Sequence, residues 1–298
     1  MHRIDTPTAQ VDKFGAGKNG FTGGNPQTGE LATALDADFF DSVQEEIAAV
    51  IEAAGLSLDK SSNKQLLAAI QKSVGPGRLL NIKIFTSSGV YTPTAGTKKI
   101  IVEVQGGGGA GGGSSATTTG NASVGGGGTE GCYGKALLTA TESSYTIVVG
   151  KGGSGVAGAS GNAGGQSSFG TILTADGGYG GGILAAGSVA LMVAADATTQ
   201  PSTPTVSGAN IESSITGRST SIAIRLSSTS QASSFNGLGG SSKFGAGGGS
   251  RSTNGAGFAA SSYGSGGSGA KSWQASASDV AYAGGAGKDG IVIIWEYA

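Results

Sequence analysis

Residues 106–113 read GGGGAGGG and directly follow KIIVEVQ at residues 99–105, where Ile100, Val102 and Val104 fall on every second position. This junction decides the fold, because a strand pattern gives way there to a chain almost without side chains. Glycine is concentrated beyond it, with 11 of the 59 glycines before residue 106 and 48 from that residue onward. Further glycine runs occupy residues 125–128, 150–165, 177–182, 237–249, 255–269 and 284–287.

Three conformations are open to such glycine runs. Collagen requires glycine at every third residue with abundant proline, and this chain has consecutive glycines and 6 prolines in all. A flexible tether is the second interpretation, because glycine has the most backbone entropy to lose on folding. The apolar segments between the runs, such as IVIIW at residues 291–295, would serve no purpose in a solvated tether.

The third interpretation, which we favour, is a packed bundle of polyproline-II-like glycine helices. This conformation has three residues per turn and no internal hydrogen bonds, so its N–H and C=O groups point outward. Segments without side chains can approach one another closely enough to form hydrogen bonds laterally. Those bonds must offset a backbone ordering cost of about 1–2 kcal/mol per residue.

Short strands frame and interrupt the glycine runs. Alternating apolar residues predict strands at residues 82–86, 90–92, 99–105, 144–149 and 290–298, and a joined pair at 210–215 and 219–226. Because these strands are few and far apart, we expect one small sheet in which the first and last strands of the domain meet.

The first 75 residues have a different composition. They hold 6 basic and 10 acidic residues, whereas residues 76–298 hold 12 and 9. After a polar arm at residues 1–34, apolar residues at helical spacing predict a helix over residues 36–54, capped by Asp36 and ended by Gly55. A second helix is predicted over residues 62–73, with Asp59 or Ser61 as its cap.

Two domains are therefore expected. Residues 1–75 should form an arm and a small α-helical hairpin, which needs a partner chain or a platform because so few helical residues bury little surface. Residues 76–298 should form a mainly β, polyglycine-II domain with a small sheet joining its first and last strands.

Composition argues against most catalytic and nucleic-acid functions. The net charge of −1 lacks the basic excess of nucleic-acid-binding proteins. His2 is the one histidine, which removes histidine-dependent catalytic triads and histidine metal sites. GKGGSG at residues 150–155 matches a dinucleotide-binding fingerprint, but more glycine follows where that motif requires a helix. We expect no cofactor, metal or catalytic residue, although a carboxylate pair for glycoside hydrolysis is harder to dismiss.

The sequence also lacks signals for membranes and disulfides. It contains no run of 18 apolar residues, and its first ten residues lack the apolar core of a signal peptide. We expect a soluble protein without membrane insertion that leaves the cell by lysis. The single cysteine, Cys132, permits no disulfide within the chain.

Two parts of the chain resemble bacteriophage and prophage tail-fibre proteins. The first resemblance covers residues 1–74, through MHRIDTPTA (1–9), KFGAGKNGF (13–21), DFFD (38–41), QEE (44–46), EAAGL (52–56) and NKQLLAAI (63–70). The second is to the glycine-rich domain at the C-terminus of tail fibres, through FTSSGVYT (85–92), VEVQ (102–105), YTIVVG (145–150) and GKDGIVII (287–294). Related tail-tip adhesins fold such tracts into polyglycine-II helices and bind outer-membrane proteins or lipopolysaccharide through loops at one end.

The resemblance implies a non-enzymatic adhesin of the virion tail. Its N-terminal module would dock on the tail baseplate, and the candidate contacts are the phenylalanines Phe14, Phe21, Phe39 and Phe40. The resemblance also implies a homotrimer. A tail-fibre assembly chaperone is a further expected partner, because the non-local contacts of a glycine bundle form slowly.

Segments between the glycine runs are the candidate receptor contacts: residues 114–124, 183–206 and 270–283. Tyr179, Trp273 and Tyr282 stand in or beside such segments, where exposed rings could stack on a sugar or a porin loop. The structural alternative is that the same rings fill gaps in a thin core.

Two other functions remain open on the sequence. A tailspike-like depolymerase would cut surface polysaccharide, but the chain shows no catalytic motif and no long β-solenoid period. A purely structural polyglycine spacer would need no receptor, but the tail-fibre-like N-terminus weighs against it.

Overall fold

The computed structural model describes residues 2–74, 77–194, 205–216, 222–225, 234–274 and 278–298. The chain divides into two compact units, Met1–Arg78 and Leu79–Ala298. Among the described residues, the first unit contains two helices, and the second is mostly β with several antiparallel sheets.

The N-terminal unit contains helices α1 (Ala37–Ala53) and α2 (Gln65–Val74). As predicted, Asp36 caps α1 by accepting a hydrogen bond from the Asp38 N–H, and Gly55 follows its end with a φ of +67°. The predicted caps of α2 are wrong. Asp59 and Ser61 bond each other in a turn, and the Gln65 side chain bonds the Asp59 backbone, so the helix begins at Gln65.

The second unit contains short strands throughout its length. In chain order the strands of the described residues are β1 (Leu79–Phe85), β2 (Gly89–Tyr91), β3 (Lys99–Gln105), β4 (Ala122–Gly125), β5 (Tyr133–Thr139), β6 (Tyr145–Val148), β7 (Ser167–Phe169), β8 (Leu173–Ala175), β9 (Ile183–Gly187), β10 (Leu191–Val193), β11 (Val206–Gly208), β12 (Ile211–Ile215), β13 (Ala223–Arg225), β14 (Ser234–Phe235), β15 (Lys271–Trp273) and β16 (Ile291–Tyr297).

Two five-stranded antiparallel sheets form a sandwich. Their orders are β1-β16-β3-β5-β12 and β11-β8-β7-β6-β2. The first and last strands are neighbours, as expected, with Phe85 opposite Val292. Ten strands nevertheless make this assembly larger than the small sheet predicted from sequence, because strands as short as Ser167–Phe169 gave no clear alternation.

The sandwich core lies between the inward faces of the two sheets. Val102, Val104 and Ile294 are fully buried from one side and meet Ile147 and Phe169 from the other. As the sequence pattern predicted, every second side chain along β3 and β16 therefore lies in the core.

The predicted pairing of residues 210–215 with 219–226 is wrong. β12 pairs with β5 in the sandwich, and β13 pairs with β10 and β14 in a separate sheet. The connecting residues 217–221, with Gly217, lie outside the described residues.

The glycine tract that continues β3 lies at the centre of six other segments. Successive N–H groups of the tract donate to carbonyls of three different segments in turn. Gly106, Gly109 and Gly112 donate to Cys132, Thr129 and Gly126 of the first segment. Gly107, Ala110 and Gly113 donate to Gly165, Asn162 and Ala159 of the second, and Gly108, Gly111 and Ser114 donate to Lys288, Gly285 and Tyr282 of the third. These nine N···O distances are 2.8–3.0 Å. The carbonyls of the tract accept from three more segments, through Gly153, Gly178 and Gly267 among others.

This packing leaves no space for side chains at many glycines. A Cβ built on Gly111 would lie 1.9 Å from the carbonyl oxygen of Ser268, and one on Gly125 would lie 1.9 Å from that of Gly112. Contacts this short cannot be relieved by rotating a side chain, because the neighbour is backbone. The glycine content thus follows from how closely the segments approach.

Candidate functional site

The far end of the glycine bundle from the sandwich is closed by two small sheets, which we call the cap. One has the order β15-β4-β9 and the other β10-β13-β14. Trp273 pairs with Ala122, and Gly125 pairs with Ile183. The cap therefore joins the three segments singled out in the sequence, residues 114–124, 183–206 and 270–283, of which 195–204 and 275–277 lie outside the described residues.

A buried arginine holds the cap together. Arg225 is 3% exposed, and its guanidinium donates to the carbonyls of Val189 (2.7 Å), Ala122 (2.8 Å) and Ala185 (2.7 Å). Burial lowers the pKa of this guanidinium from its ordinary value. Because the three carbonyls lie on β4, on β9 and in the turn after β9, one side chain fixes the relative positions of all three.

A buried lysine plays a similar part. The Lys271 ammonium on β15 donates to the carbonyl of Ser234 at 2.6 Å, and its burial lowers its pKa. Sequence reasoning missed both cations, since neither lies in a motif and charged side chains are usually exposed.

One carboxylate, that of Asp279, fixes the adjoining loop of the cap. Asp279 accepts hydrogen bonds from the Tyr282 hydroxyl (2.9 Å), the Val280 N–H (2.9 Å), the Asn254 amide (2.7 Å) and the Ser272 hydroxyl (3.2 Å). The hydrogen bond to Asp279, with a smaller contribution from burial, raises the pKa of the Tyr282 hydroxyl. These four hydrogen bonds order the loop and engage both oxygens of the Asp279 carboxylate.

The structure brings two of the three predicted receptor-contact aromatics together. The Asn254 amide bonds both the Trp273 carbonyl and Asp279, which holds Tyr282, so Trp273 and Tyr282 belong to one network in the cap. Both rings are half-buried. Tyr179 is not part of the cap, because its backbone bonds Thr129 beside Gly109, inside the bundle.

The solvent side of the cap carries apolar side chains. Val189, Met192 and Val280 are 67%, 66% and 62% exposed, and Leu191 is also exposed. All four lie in the segments between glycine runs singled out in the sequence, but aliphatic residues were not among the predicted contacts. Val189, Leu191 and Met192 lie within four residues of one another, and neighbouring exposed apolar side chains are candidates for contact with another molecule.

The predicted attachment phenylalanines lie in the N-terminal unit. Phe14, Phe21 and Phe39 line one groove of about 470 Å³, together with residues of the arm that include His2 and Ile4. Phe21 and Phe39 meet edge to face with ring centroids 5.3 Å apart. Phe40 does not line the groove but packs edge-on against Phe39 at 5.5 Å.

One candidate metal-ligand set occurs among the described residues. His2, Asp5 and Asp36 place ligand atoms within 4.8 Å of one another, and the His2 Nε2 lies 4.0 Å from an Asp36 carboxylate oxygen. Sequence analysis had set histidine metal sites aside. His2 and Asp5 are exposed, so the arrangement equally fits an ion pair between a protonated His2 and its neighbours.

Neither of the two described helices has the length and apolar character needed to span a bilayer.

Comparison with known proteins gives two matches. The model of a family described as "Glycine-rich domain" matches residues 86–297. The uncharacterized protein StfP of Escherichia coli (strain K12) is 66% identical over 71 residues, which are 24% of this chain and 34% of that protein. The chain thus matches about a third of the length of this curated relative.

Proposed function

The chain belongs to the glycine-rich domain family, and from that premise we propose that it is a bacteriophage tail-fibre adhesin whose cap recognises a receptor on the bacterial surface. The observation that carries this proposal is the convergence of separate sequence excursions into one cap at the end of the glycine bundle. The resemblance of residues 1–74 to tail-fibre proteins and the match to StfP support it.

The glycine bundle is, in this proposal, a polyglycine-II body. The three-residue period of its N–H directions supports this, because a helix with three residues per turn directs successive N–H groups about 120° apart. Such a body resists bending because each segment is bonded to several neighbours. It would hold the cap at a fixed distance from the sandwich.

The N-terminal unit is the proposed attachment module. Its aromatic groove, lined by Phe14, Phe21 and Phe39, would accept a side chain of a tail baseplate protein, with Phe40 behind it. A homotrimeric fibre, an assembly chaperone and a location in the virion tail complete the proposal. Several fibres on one virion would then bind together, so that weak single contacts give firm attachment.

Recognition at the cap would not be enzymatic. The exposed side chains of Val189, Met192 and Val280 offer apolar contacts, and the Arg225 and Asp279 networks make the cap that carries them rigid. The receptor is an outer-membrane protein or lipopolysaccharide. Because the cap is preorganised, binding would cost little further ordering of the described loops.

The test uses the full-length protein and a phage that carries this fibre. We expect the protein to bind host cells and to compete with phage adsorption. Val189→Lys with Met192→Lys should weaken cell binding by about tenfold or more, since each change puts a charge where the proposal requires an apolar contact. Val90→Lys is the matched control, because Val90 is 64% exposed on the sandwich strand β2, and it should bind like the unchanged protein.

Other outcomes identify the rival functions. Shortened polysaccharide chains after incubation with purified capsule or lipopolysaccharide would indicate a depolymerase. If the folded protein neither binds host cells nor competes with the phage, the adhesin proposal is wrong and the structural spacer remains.

A further inference from the structure

The guanidinium of Arg251 has hydrogen-bond donors to spare. Arg251 begins the loop of residues 251–258, which pairs with β15 and so adjoins the cap. Its Nε donates to the carbonyl of Ala256, and one of its Nη atoms lies 3.4 Å from the carbonyl oxygen of Asn254. Because a guanidinium has five N–H donors, these two bonds leave about three of them without a partner among the described residues.

The local structure fixes the position of this side chain. The guanidinium carbon lies 4.6 Å from the centroid of the Phe258 ring, which is 47% exposed. It also lies against the backbone of Gly255, where a Cβ would come within 2.8 Å of an Arg251 Nη atom. The Arg251 N–H donates to the side chain of Asn236 at 2.7 Å, which ties the loop to the end of β14. A half-buried guanidinium held in this way needs little further ordering when it binds a ligand.

Positive charge predominates in this part of the molecule. The described residues of the cap and of the 251–258 loop include the basic residues Arg225, Arg251 and Lys271 but only one acidic residue, Asp279. Arg251 takes part in none of the ion pairs among the described residues. Its charge also acts on Tyr282, where it opposes the rise in the pKa of the hydroxyl. The described part of the cap therefore has a net positive charge, which attracts anionic groups.

We propose that Arg251 binds an anionic group, a phosphate or a carboxylate, carried by a sugar of the bacterial surface. This inference rests on the proposed function, because it names the chemistry that the cap would recognise. A guanidinium binds such groups through two parallel, charge-assisted hydrogen bonds. Phe258 beside it, with Trp273 and Tyr282 in the neighbouring network, offers ring faces on which a sugar would stack. One acidic sugar would occupy both features, which favours a glycan over an acidic protein loop.

The test measures binding of the full-length protein to immobilised lipopolysaccharide of the host by surface plasmon resonance. Arg251→Gln should weaken binding by about tenfold or more at low salt, because charge-assisted hydrogen bonds are lost. Its remaining binding should depend less on salt than that of the unchanged protein. Arg251→Lys keeps the charge without the planar fork and should bind with intermediate strength. Lys288→Gln is the matched control, because it removes the same charge from an exposed residue in the glycine bundle, and it should bind like the unchanged protein.

Two treated lipopolysaccharides identify the anionic group. Hydrofluoric acid removes phosphates, and chemical reduction converts carboxylates to alcohols. The treatment that abolishes the difference between Arg251→Gln and the unchanged protein identifies the group that Arg251 binds. A difference that survives both treatments would contradict the inference.

The remaining outcomes separate this inference from the adhesin proposal. If Arg251→Gln and the unchanged protein bind lipopolysaccharide and host cells equally, the inference is wrong and the adhesin proposal stands. Binding to a purified outer-membrane protein but not to lipopolysaccharide has the same meaning. Equal losses for Arg251→Gln and Arg251→Lys, with unchanged salt dependence, would show that Arg251 only shapes its loop; melting temperatures check that each variant keeps its fold. If the unchanged protein does not bind host cells, both proposals are wrong.

Discussion

At position 111 the bundle has no room for a side chain. A Cβ there would lie 1.9 Å from the Ser268 carbonyl oxygen, so Gly111→Ala must push two backbone segments apart. We expect a loss of about 3 kcal/mol or more in the free energy of unfolding, at the upper end of overpacking effects. Gly249→Ala is the control, because nothing lies within 4 Å of its Cβ position. Equal stability of the two variants in denaturant titrations would contradict the close packing.

Glu296 is a buried carboxylate whose partners all lie near β2. It accepts hydrogen bonds from the Tyr91 hydroxyl (2.8 Å), the Thr94 N–H (2.9 Å) and the Thr94 hydroxyl (2.6 Å). Burial alone would raise the pKa of Glu296, but these hydrogen bonds outweigh it and hold the pKa below its ordinary value. The ionised form is therefore favoured by folding.

A pH dependence follows from this lowered pKa. The contribution of Glu296 to stability is complete above the pKa of an unfolded glutamate and is lost as pH falls through the lower folded value. Glu296→Gln should cost about 2 kcal/mol at pH 7, and the cost should shrink in acid. Urea titrations from pH 7 to pH 3 measure this. Exposed Glu142→Gln should change stability by less than about 0.5 kcal/mol, and a cost for Glu296→Gln that is independent of pH would refute the assignment.

Among the secondary-structure elements, β16 is the strand on which the folding of the sandwich most depends. It lies between β1 and β3, with Ile294 fully buried and Ile293 on the opposite face. Ile294→Ala should cost about 2–5 kcal/mol by leaving a cavity in the core. Ile293→Ala changes the same atoms on the outer face and should cost much less in thermal or chemical unfolding. Similar losses for both would mean that the strand does not have one inward face.

Elements were predictable where side chains alternate or recur. β3 was predicted with its observed bounds, and α1 and β16 to within one residue at each end, because Ile, Val and the Asp36 cap mark them. Strands such as β7 and β15 were missed because three residues show no period. The pairing of β12 with β5 was also missed, since the sequence nearby favoured a local hairpin over a partner about eighty residues earlier.

The cap was only partly predictable. The changes in composition at residues 114–124, 183–206 and 270–283 located its segments, and Trp273 and Tyr282 lie in it. Arg225 and Lys271 were not predicted, because their role depends on carbonyls that folding brings near. Tyr179 lies in the bundle and not in the cap, which the sequence did not indicate, since a ring beside a glycine run can stand anywhere along the bundle.

At the scale of the whole molecule, the lateral bonds between glycine segments hold the second unit together. Which segment neighbours which was not predictable, because a glycine run carries no side chains to specify a partner. The strands that flank each run supply that information by fixing where it enters and leaves the sandwich and the cap. The strand order of the sheets and the choice of neighbours among the glycine segments therefore determine each other.

Amide hydrogen exchange of the full-length protein tests the central claim most directly. Peptides covering residues 106–114 should exchange as slowly as those covering β3, because every N–H from Gly106 to Ser114 donates to another segment. The amides of the exposed residues Gly249 and Ser250 provide the fast reference within the same chain. If residues 106–114 exchanged at the rate of an unfolded peptide while β3 stayed protected, the glycine segments would be tethers, and the cap would have no rigid support.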